Sequence, residues 1–332
     1  YKEIDTVFLA ANDDPEHTHG QGTLDSHAFR ILGKDNYIVE SYTNIEVVVP
    51  ESLKYIPDFT TFPKSKVSAG IIQQVKDGNV VWEVNSADYP IFFEASVESN
   101  NFAKDNQDYV HINAIDYLVN DKGDITKILV SYRMCSEIVQ FDVTGEHATI
   151  DWIYGGKAST LAGYDSISTQ RVDEWGNSFV APLFGQHCCR SSTAVNHGIP
   201  AEQYPVISLF DNQTNELMSQ AQSGSGRPLF TQCPTRVYRF ILNEYEGTTI
   251  PKDVIDGPEL DKLDDLLHYG DHCGSVDYTS DTSVCIGWGA QFGREAACSM
   301  MSDYNPQTGT IAFDLSIDGG WQDCYRTYKT TF

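Results

Sequence analysis

Hydrophobic and polar residues alternate in short runs along most of the chain, and turn-forming residues separate the runs. Residues 27–32 and 36–42 alternate in this way around the turn Gly33-Lys34-Asp35, which is typical of a β-hairpin. The same pattern predicts further strands at residues 71–75, 80–84, 112–117, 128–132, 138–142, 148–154, 168–172, 177–181, 206–210, 216–219, 236–244, 275–278, 284–288, 310–315 and 325–328. The sequence therefore predicts an all-β protein.

Helical periodicity is convincing in one segment only, residues 258–268, where apolar side chains recur every three to four positions. This segment overlaps a strongly acidic stretch, residues 246–265. We expect that stretch to be a connector with one short helix, lying on a face of the molecule.

The strand–turn–strand units resemble one another weakly, because several end in a tryptophan that follows a glycine turn. Gly78 precedes Trp82, and Gly145 leads to Trp152. Repeats of this kind favour a β-propeller with four-stranded blades, and the strands suffice for four to five blades. A pair of β-sandwiches is the competing architecture. We treat residues 1–332 as a single propeller domain that is incomplete at its N-terminal end.

The charge of the chain narrows the range of partners. Its 332 residues include 22 Lys and Arg against 47 Asp and Glu, a formal net charge of −25 at pH 7. Phosphate backbones and anionic lipids repel so acidic a protein, which argues strongly against nucleic acid as a partner. No apolar run approaches the roughly 18 residues of a membrane helix, so we expect no membrane span. The chain starts at Tyr1 without a leader, which indicates a processed polypeptide.

Eight cysteines and one glycosylation sequon point to an extracytoplasmic, secreted protein. The cysteines are even in number and contain no Cys-x-x-Cys pair, which favours disulfides over a zinc ribbon. Cys273 and Cys285 flank one predicted hairpin and could staple it, whereas Cys188 and Cys189 are expected to bond to different partners. The sequon is Asn212-Gln213-Thr214. The alternative is a set of reduced, buried thiols.

Histidines at the ends of predicted strands are the first candidates for chemistry. His27, His111 and His187 occupy such positions, and Arg133 closes the strand that pairs with the one after His111. The first strand of each propeller blade lines the central channel, so we expect these side chains to converge near the axis. A structural, hydrogen-bonded role for each histidine is the competing interpretation.

Several segments together resemble the arylsulfate sulfotransferase family. Residues 109–117 (Tyr-Val-His-Ile-Asn-Ala-Ile-Asp-Tyr), Ser131-Tyr132-Arg133 and residues 150–156 carry the resemblance first. More matching segments follow in the family's order: Gln186-His187, residues 209–212, residues 235–240, Glu244-Tyr245, residues 273–276, residues 286–289 and Tyr325-Arg326. The resemblance runs from about position 25 to the C-terminus.

The resemblance implies a six-bladed propeller that moves a sulfuryl group from an aryl sulfate to a phenol through a sulfated histidine, with no cofactor. His187 would be the nucleophile, Arg133 and His111 would bind the sulfuryl oxygens, and His27 would be the remaining site histidine. Asn113 and Arg236 are the further candidate substrate-binding residues. We expect fewer than six complete blades in this chain, with another polypeptide or an upstream segment filling the gap.

Two departures from the family concern the surroundings of the site. Ala28 stands where the family usually has an acidic residue, and Cys188-Cys189-Arg190 follows the proposed nucleophile. Because of these departures, a non-catalytic extracellular propeller that acts as a structural or binding module is the alternative function. An enzyme should hold His27, His111, Arg133 and His187 in one small pocket.

An anionic substrate needs a local cationic site in so acidic a protein. The candidates for it are Arg133, Arg171, Arg190, Arg236, Arg239 and Arg326. His17 and His19 are spaced like metal ligands on a strand, but their surroundings are typical of a loop, so we predict no metal site. No Gly-x-Ser-x-Gly elbow occurs, so a serine-hydrolase site is not predicted either.

Overall fold

The structure is a computed structural model of the whole chain. It describes residues 6–12, 19–48, 64–97, 108–163, 165–172, 178–191, 206–213, 235–243, 245–264, 266–270, 272–291, 298–317 and 322–329.

Four four-stranded antiparallel sheets follow one another along the described chain, and in each the spatial order of strands follows the sequence. The first contains β1 (Phe29–Gly33), β2 (Asn36–Val48), β3 (Lys64–Lys76) and β4 (Asn79–Asn85). The second contains β5 (Ile112–Val119), β6 (Ile125–Tyr132), β7 (Glu137–Asp142) and β8 (Thr149–Gly155). The other two sheets come after a short two-stranded ribbon.

That ribbon pairs β9 (Thr169–Val172) with β10 (Ser178–Ala181). The third sheet contains β11 (His187–Ser191), β12 (Val206–Asp211), β13 (Arg236–Asn243) and β14 (Thr248–Asp256). The fourth contains β15 (Ser275–Ser280), β16 (Ser283–Gly287), β18 (Cys298–Asn305) and β19 (Thr310–Ile317), while β17 (Gly289–Gln291) pairs with β20 (Gln322–Cys324). The two α-helices of the described residues are α1 (Ile91–Ala95) and α2 (Gly257–Asp264). The expectation of an all-β protein is confirmed.

The hydrophobic core is divided into clusters that lie between consecutive sheets. Val84 of the first sheet packs in one cluster with Ile128 and Val139 of the second. A second cluster joins Ile138 of the second sheet to Leu209 of the third, and further clusters join the third sheet to the fourth and the N-terminal segment to the first. Alternation therefore works as predicted, since each strand supplies apolar residues to a neighbouring sheet.

The prediction of a connector at residues 246–265 is wrong over most of its length. Residues 248–256 form β14, which pairs along its whole length with β13. Its acidic residues are neutralised across the sheet, because Arg239 Nε lies 2.6 Å from Asp253 Oδ2 and Arg236 Nε lies 3.1 Å from Asp256 Oδ1. The helix of this region ends at Asp264, earlier than predicted.

Two other predictions near the chain's end and middle differ in outcome. Residues 325–328 form no strand; the Arg326 side chain instead donates to the Asn113 carbonyl, and the Thr327 N–H donates to Ser275 Oγ. The predicted strand at residues 216–219 lies outside the described residues. None of the described residues forms a helix long and apolar enough to cross a membrane.

The cysteines of the described residues do not support the disulfide prediction. Cys135, Cys188, Cys189 and Cys285 are buried and form no disulfide bond. The Cys285 thiol instead lies 3.5 Å from Thr327 Oγ1, so the expected staple between Cys273 and Cys285 is wrong. The structure favours the alternative of buried thiols at these four positions.

Candidate active site

His187 stands at the start of β11, where the strand is irregular. It pairs with Phe210, but Arg190 pairs with Ser208, so one extra residue is inserted between His187 and Arg190. Cys188 absorbs this bulge with a left-handed backbone, φ +51°. Bulges change the direction in which a side chain points, and they are common beside active sites. The His187 ring therefore points in a different direction from a side chain on a regular strand.

The residue before His187 anchors this strand to the second sheet. The Gln186 amide nitrogen donates to Ser131 Oγ (3.1 Å) and to the carbonyl of Glu137 (2.9 Å). In return, the Asn113 amide donates to the Gln186 carbonyl at 2.8 Å. Because Gln186 and Asn113 are both fully buried, the backbone at His187 is held from two sides.

Asn212 fixes which nitrogen of His187 carries the proton. Its amide nitrogen donates to the carbonyls of Gly270 and Cys273, both at 3.0 Å, which leaves Asn212 Oδ1 facing His187 Nδ1 at 2.6 Å. A carbonyl-type oxygen can only accept, so Nδ1 must be the donor. His187 Nε2 is then the nitrogen with the lone pair, and it accepts a hydrogen bond from the Cys273 N–H at 3.2 Å.

The surroundings of His187 keep its imidazole neutral. Burial lowers its pKa well below the ordinary value, and the charge of Arg133 and the nearby His111 lower it further. The hydrogen bonds to Asn212 and Gly185 act in the opposite direction but are outweighed. With an exposed fraction of only 4%, the ring is a buried neutral base with a directed lone pair.

Arg133 and His111 are linked through their backbones. Arg133 begins a short 3₁₀ turn, Arg133–Cys135, directly after β6, and its N–H donates to the His111 carbonyl at 3.0 Å. The Arg133 side chain is buried and acts electrostatically on His187. The structure therefore brings Arg133, His111 and His187 into one neighbourhood.

His111 and His27 form two aspartate–histidine pairs whose rings touch. His111 has a left-handed backbone (φ +49°), and Asp108 holds it by accepting from its N–H at 2.9 Å and from Nδ1 at 2.7 Å. Asp25 accepts in the same way from the backbone N–H and Nδ1 of His27. The two rings meet edge to face with centroids 5.0 Å apart. Each ring keeps Nε2 for a substrate or a proton.

Glu40 and Tyr325 complete the surroundings of His27. Glu40 is fully buried, its Oε1 accepts from the Ala28 N–H at 2.8 Å, and burial together with Asp25 raises its pKa well above the ordinary range. Burial alone would raise the pKa of Asp25, but its hydrogen bonds from His27 lower it on balance. The Tyr325 ring lies 5.5 Å from His27. The buried carboxyl group of Glu40 therefore lies next to Ala28, which itself has no carboxyl group.

The two predicted substrate-binding residues have other contacts. Asn113 uses its amide nitrogen to hold the Gln186 backbone, so it positions His187 from a distance. Arg236 is bound to Asp256 and to the Ile167 carbonyl, at 3.1 and 2.9 Å. Those contacts give Arg236 a role in pairing β13 with β14.

Sequence reasoning missed several residues of this site. Asp108 and Asn212 orient His111 and His187, and Cys273 donates its N–H to His187. One usable signal was the aspartate two or three positions before a histidine, at Asp25 and at Asp108. The sequon was misleading, because Asn212 is 2% exposed and its amide is bonded inside the protein, so it cannot carry a glycan in this fold.

Two groups among the described residues have the spacing of metal ligands, although the sequence predicted none. They are Asp25 with His27 and Glu40, and Asp264 with His268 and Asp314, with ligand atoms within 4.8 Å of one another. In the first, the raised pKa of Glu40 keeps that carboxyl protonated. In the second, the raised pKa of His268 keeps its ring charged. A metal ligand has to be deprotonated, so neither group fits a metal ion in these protonation states. His19 is buried against Glu83 at 3.0 Å, and His17 lies outside the described residues.

Comparison with known protein families gives a match over most of the chain. The sequence fits the family model described as arylsulfotransferase (ASST) over residues 47–329, which is most of the chain. A search of curated proteins found no significant match.

Proposed function

Because the chain belongs to the arylsulfotransferase family, we propose that it moves a sulfuryl group from an aryl sulfate to a phenol through a sulfated His187. One observation carries the mechanism: a buried, neutral imidazole whose Nδ1 is fixed as a donor by Asn212 and whose pKa is lowered by burial and by the charge of the buried Arg133. A neutral imidazole is a competent nucleophile near neutral pH.

In the first half-reaction, Nε2 of His187 bonds to sulfur while the bond from sulfur to the aryl oxygen breaks. The electron pair of that bond goes to the leaving phenolate, which takes a proton from the doubly protonated ring of His27. Asp25 holds Nδ1 of His27, so Nε2 is the nitrogen that donates. The developing positive charge on His187 is stabilised by Asn212 Oδ1 and the Gly185 carbonyl, which lie 2.6 and 3.1 Å from Nδ1.

The sulfuryl oxygens need fixed donors, since a loose transition state spreads negative charge over them. Arg133 supplies one of these donors, and His111 supplies another through Nε2 when both nitrogens of its ring are protonated. When Nε2 of His187 bonds to sulfur, the Cys273 N–H loses its acceptor and becomes a third donor. The left-handed backbones of Cys273 (φ +60°) and Gly274 (φ +106°) hold that N–H in place. A side chain at Gly274 would collide with Phe210, because an added Cβ would lie 2.4 Å from its ring.

In the second half-reaction, the acceptor phenol loses its proton to His27, and its oxygen bonds to sulfur. The N–S bond breaks and its electron pair returns to Nε2, so the enzyme regains its starting state. No metal or cofactor is needed for this sequence, since an aryl sulfate carries a single negative charge. The donor phenol leaves before the acceptor reacts, so the kinetics should be ping-pong.

The proposed architecture is the propeller that the family resemblance implies. Two features of the described residues support it: consecutive four-stranded sheets that each pack on the next, and first strands (β1, β5, β11) that converge on the site. An extracytoplasmic location stays a proposal that now rests mainly on the acidic balance of the chain.

The test is a comparison of His187→Ala with wild type in both half-reactions. The variant should lose release of nitrophenol from its sulfate and transfer to a second phenol together, because both use the same N–S bond. His147→Ala is the matched control, since His147 is exposed in a turn. Retained transfer by folded His187→Ala protein would reject His187 as nucleophile. Folded wild type that transfers from no aryl sulfate would favour the non-catalytic module.

A further inference from the structure

Three arginines from separate parts of the chain meet at strand β5. Arg30, near the start of the first sheet, donates to the Ile115 carbonyl at 2.8 Å. Arg326, near the C-terminus, donates to the Asn113 carbonyl at 2.8 Å. Arg190 lies on β11 beside Ser191, whose N–H donates to Asp116 at 2.9 Å. The three guanidinium groups therefore surround residues 113–116.

This arginine cluster lies further along strands β1, β5 and β11 than the histidines do, so the two groups occupy two levels along these strands. His27 lies two residues before β1, His111 lies one residue before β5, and His187 begins β11. Arg30 and Arg190 follow His27 and His187 three positions later. A strand advances about 3.3 Å per residue, so the cluster is about 7–10 Å further along the strands. The His27 ring contacts the His111 ring at the histidine level, and Arg30 and Ser191 contact residues of β5 at the arginine level. Strands β1, β5 and β11 therefore run in the same direction from the histidine level to the arginine level.

Two tyrosines line the cluster. Arg190 donates to the Tyr328 hydroxyl at 3.0 Å and lies over its ring, and Arg326 lies over the ring of Tyr325. Tyr328 is 53% exposed, so solvent reaches this level. Tyr325 also contacts His27 and thus spans the two levels.

The cluster carries excess positive charge in a protein of net charge −25. Asp116 is the carboxylate that opposes Arg30 and Arg190, while Arg190 and Arg326 repel Arg30 and, with burial, lower its pKa. The hydrogen-bond acceptors of the three arginines are backbone carbonyls, the Tyr328 hydroxyl and the Cys188 side chain. The buried Nε of Arg30 has no acceptor among the described residues. Partly buried cations held together are costly unless an anion joins them.

We propose that Arg30, Arg190 and Arg326 form a second anion site, separate from the transfer site, that binds an oxyanion group such as sulfate or carboxylate. Planar guanidinium groups bind both oxyanions through paired hydrogen bonds. The oxyanion has two sources, either a free inorganic ion or an acidic group at the far end of a substrate that reaches His187.

The experiment titrates inorganic sulfate into the protein by calorimetry at constant ionic strength. Wild type should bind two sulfates, one at each level. Arg133→Gln should lose one of them and keep the other. Arg30→Gln and Arg326→Gln should each weaken the second about tenfold or more, the size expected for a charge-assisted hydrogen bond. Lys34→Gln removes one positive charge at a side chain that is 91% exposed, and its sulfate affinity should stay as in wild type.

Arg326→Lys keeps the charge but loses the planar pair of donors, so it should bind sulfate more tightly than Arg326→Gln and less tightly than wild type, which separates a binding role from a folding role. The proposal is overturned if Arg133→Gln loses all binding, or if Arg30→Gln and Arg326→Gln bind as wild type does. None of these outcomes depends on catalysis, so they test the second site even if the proposed transfer reaction fails.

A further measurement, which rests on the proposed function, distinguishes the two sources of the oxyanion. It compares kcat/KM for two acceptor phenols. If the site takes an acidic group of the substrate, Arg326→Gln should reduce kcat/KM for a phenol with a para carboxylate more than for a neutral phenol. If the site takes a free ion, the ratio of the two values should equal that of wild type.

Discussion

His268 links helix α2 to strand β19 through carboxylates, and its charge should make the protein's stability depend on pH. The side chain is fully buried, Nδ1 donates to Asp261 at 3.1 Å, and Nε2 donates to Asp314 at 2.8 Å. Asp264 lies 3.8 Å from Nε2, and the ring packs edge-on against Trp288. Both nitrogens donate, so the ring is an imidazolium. The perturbation is His268→Gln, which keeps hydrogen-bonding capacity and removes the charge.

The magnitude follows from the pKa of His268. Burial lowers this pKa, but the hydrogen bonds and charges of Asp261, Asp314 and Asp264 raise it from the ordinary 6.5 to about 9. Such a difference corresponds to a contribution on the order of 3 kcal/mol to the free energy of unfolding. Since the folded pKa is the higher one, the contribution is complete below about pH 6.5. It then falls as the pH rises and is lost above about pH 9.

The assay is urea unfolding of wild type and His268→Gln at pH 6 and at about pH 9.5. The quantity to compare is the difference in unfolding free energy between the two proteins, because other groups titrate equally in both. This difference should be larger at pH 6, by on the order of 3 kcal/mol. The control His147→Gln, at an exposed turn, should give the same small difference at both pH values. A difference for His268→Gln that is constant, or that grows with pH, would refute the charged cluster.

Two further predictions concern the site. Asn212→Ala removes the acceptor that fixes Nδ1 of His187, so release of phenol from an aryl sulfate should slow by roughly 10- to 100-fold in stopped-flow assays. The control Asn120→Ala, at an exposed turn, should release phenol at the wild-type rate. An unchanged rate in Asn212→Ala would contradict the role of Asn212 in orienting His187. Arg133→Gln removes a charge that lowers the pKa of His187, so the acidic limb of the pH profile of kcat/KM for the donor should move to higher pH. Arg133→Lys keeps the charge, so its acidic limb should stay at the wild-type pH. An acidic limb that stays in place in Arg133→Gln would show that Arg133 does not act on the His187 ring.

The strands were predictable where one face meets the core and the other meets solvent. Strand β14 was not, because Lys252, Asp253 and Asp256 look like a solvated connector in the sequence. Only the cross-strand arginines Arg239 and Arg236, supplied by β13, make that segment fit a sheet. Sequence periodicity describes one strand at a time, whereas the charges of Asp253 and Asp256 are neutralised by arginines of the neighbouring strand β13.

The histidines and Arg133 could be proposed as site residues from ordered motifs, but the residues that contact them could not. Asn212 looked like a glycosylation site because a sequon carries no information about burial. Cys273 contributes a backbone N–H, which is the same for every residue except proline and leaves no mark in the sequence. The arginine cluster was hidden for another reason, since Arg30, Arg190 and Arg326 meet only when the first strands of separate sheets lie side by side.

The central claim is a covalent bond between sulfur and His187, and intact-protein mass spectrometry tests it most directly. Wild type mixed with 4-nitrophenyl sulfate in the absence of acceptor, then quenched in alkali, should gain the mass of one sulfuryl group. Peptide mapping should place that group on the peptide containing His187, and an added phenol should remove it. His187→Ala should gain nothing. Release of nitrophenol without any gain in mass, or a gain that persists in His187→Ala, would contradict the account.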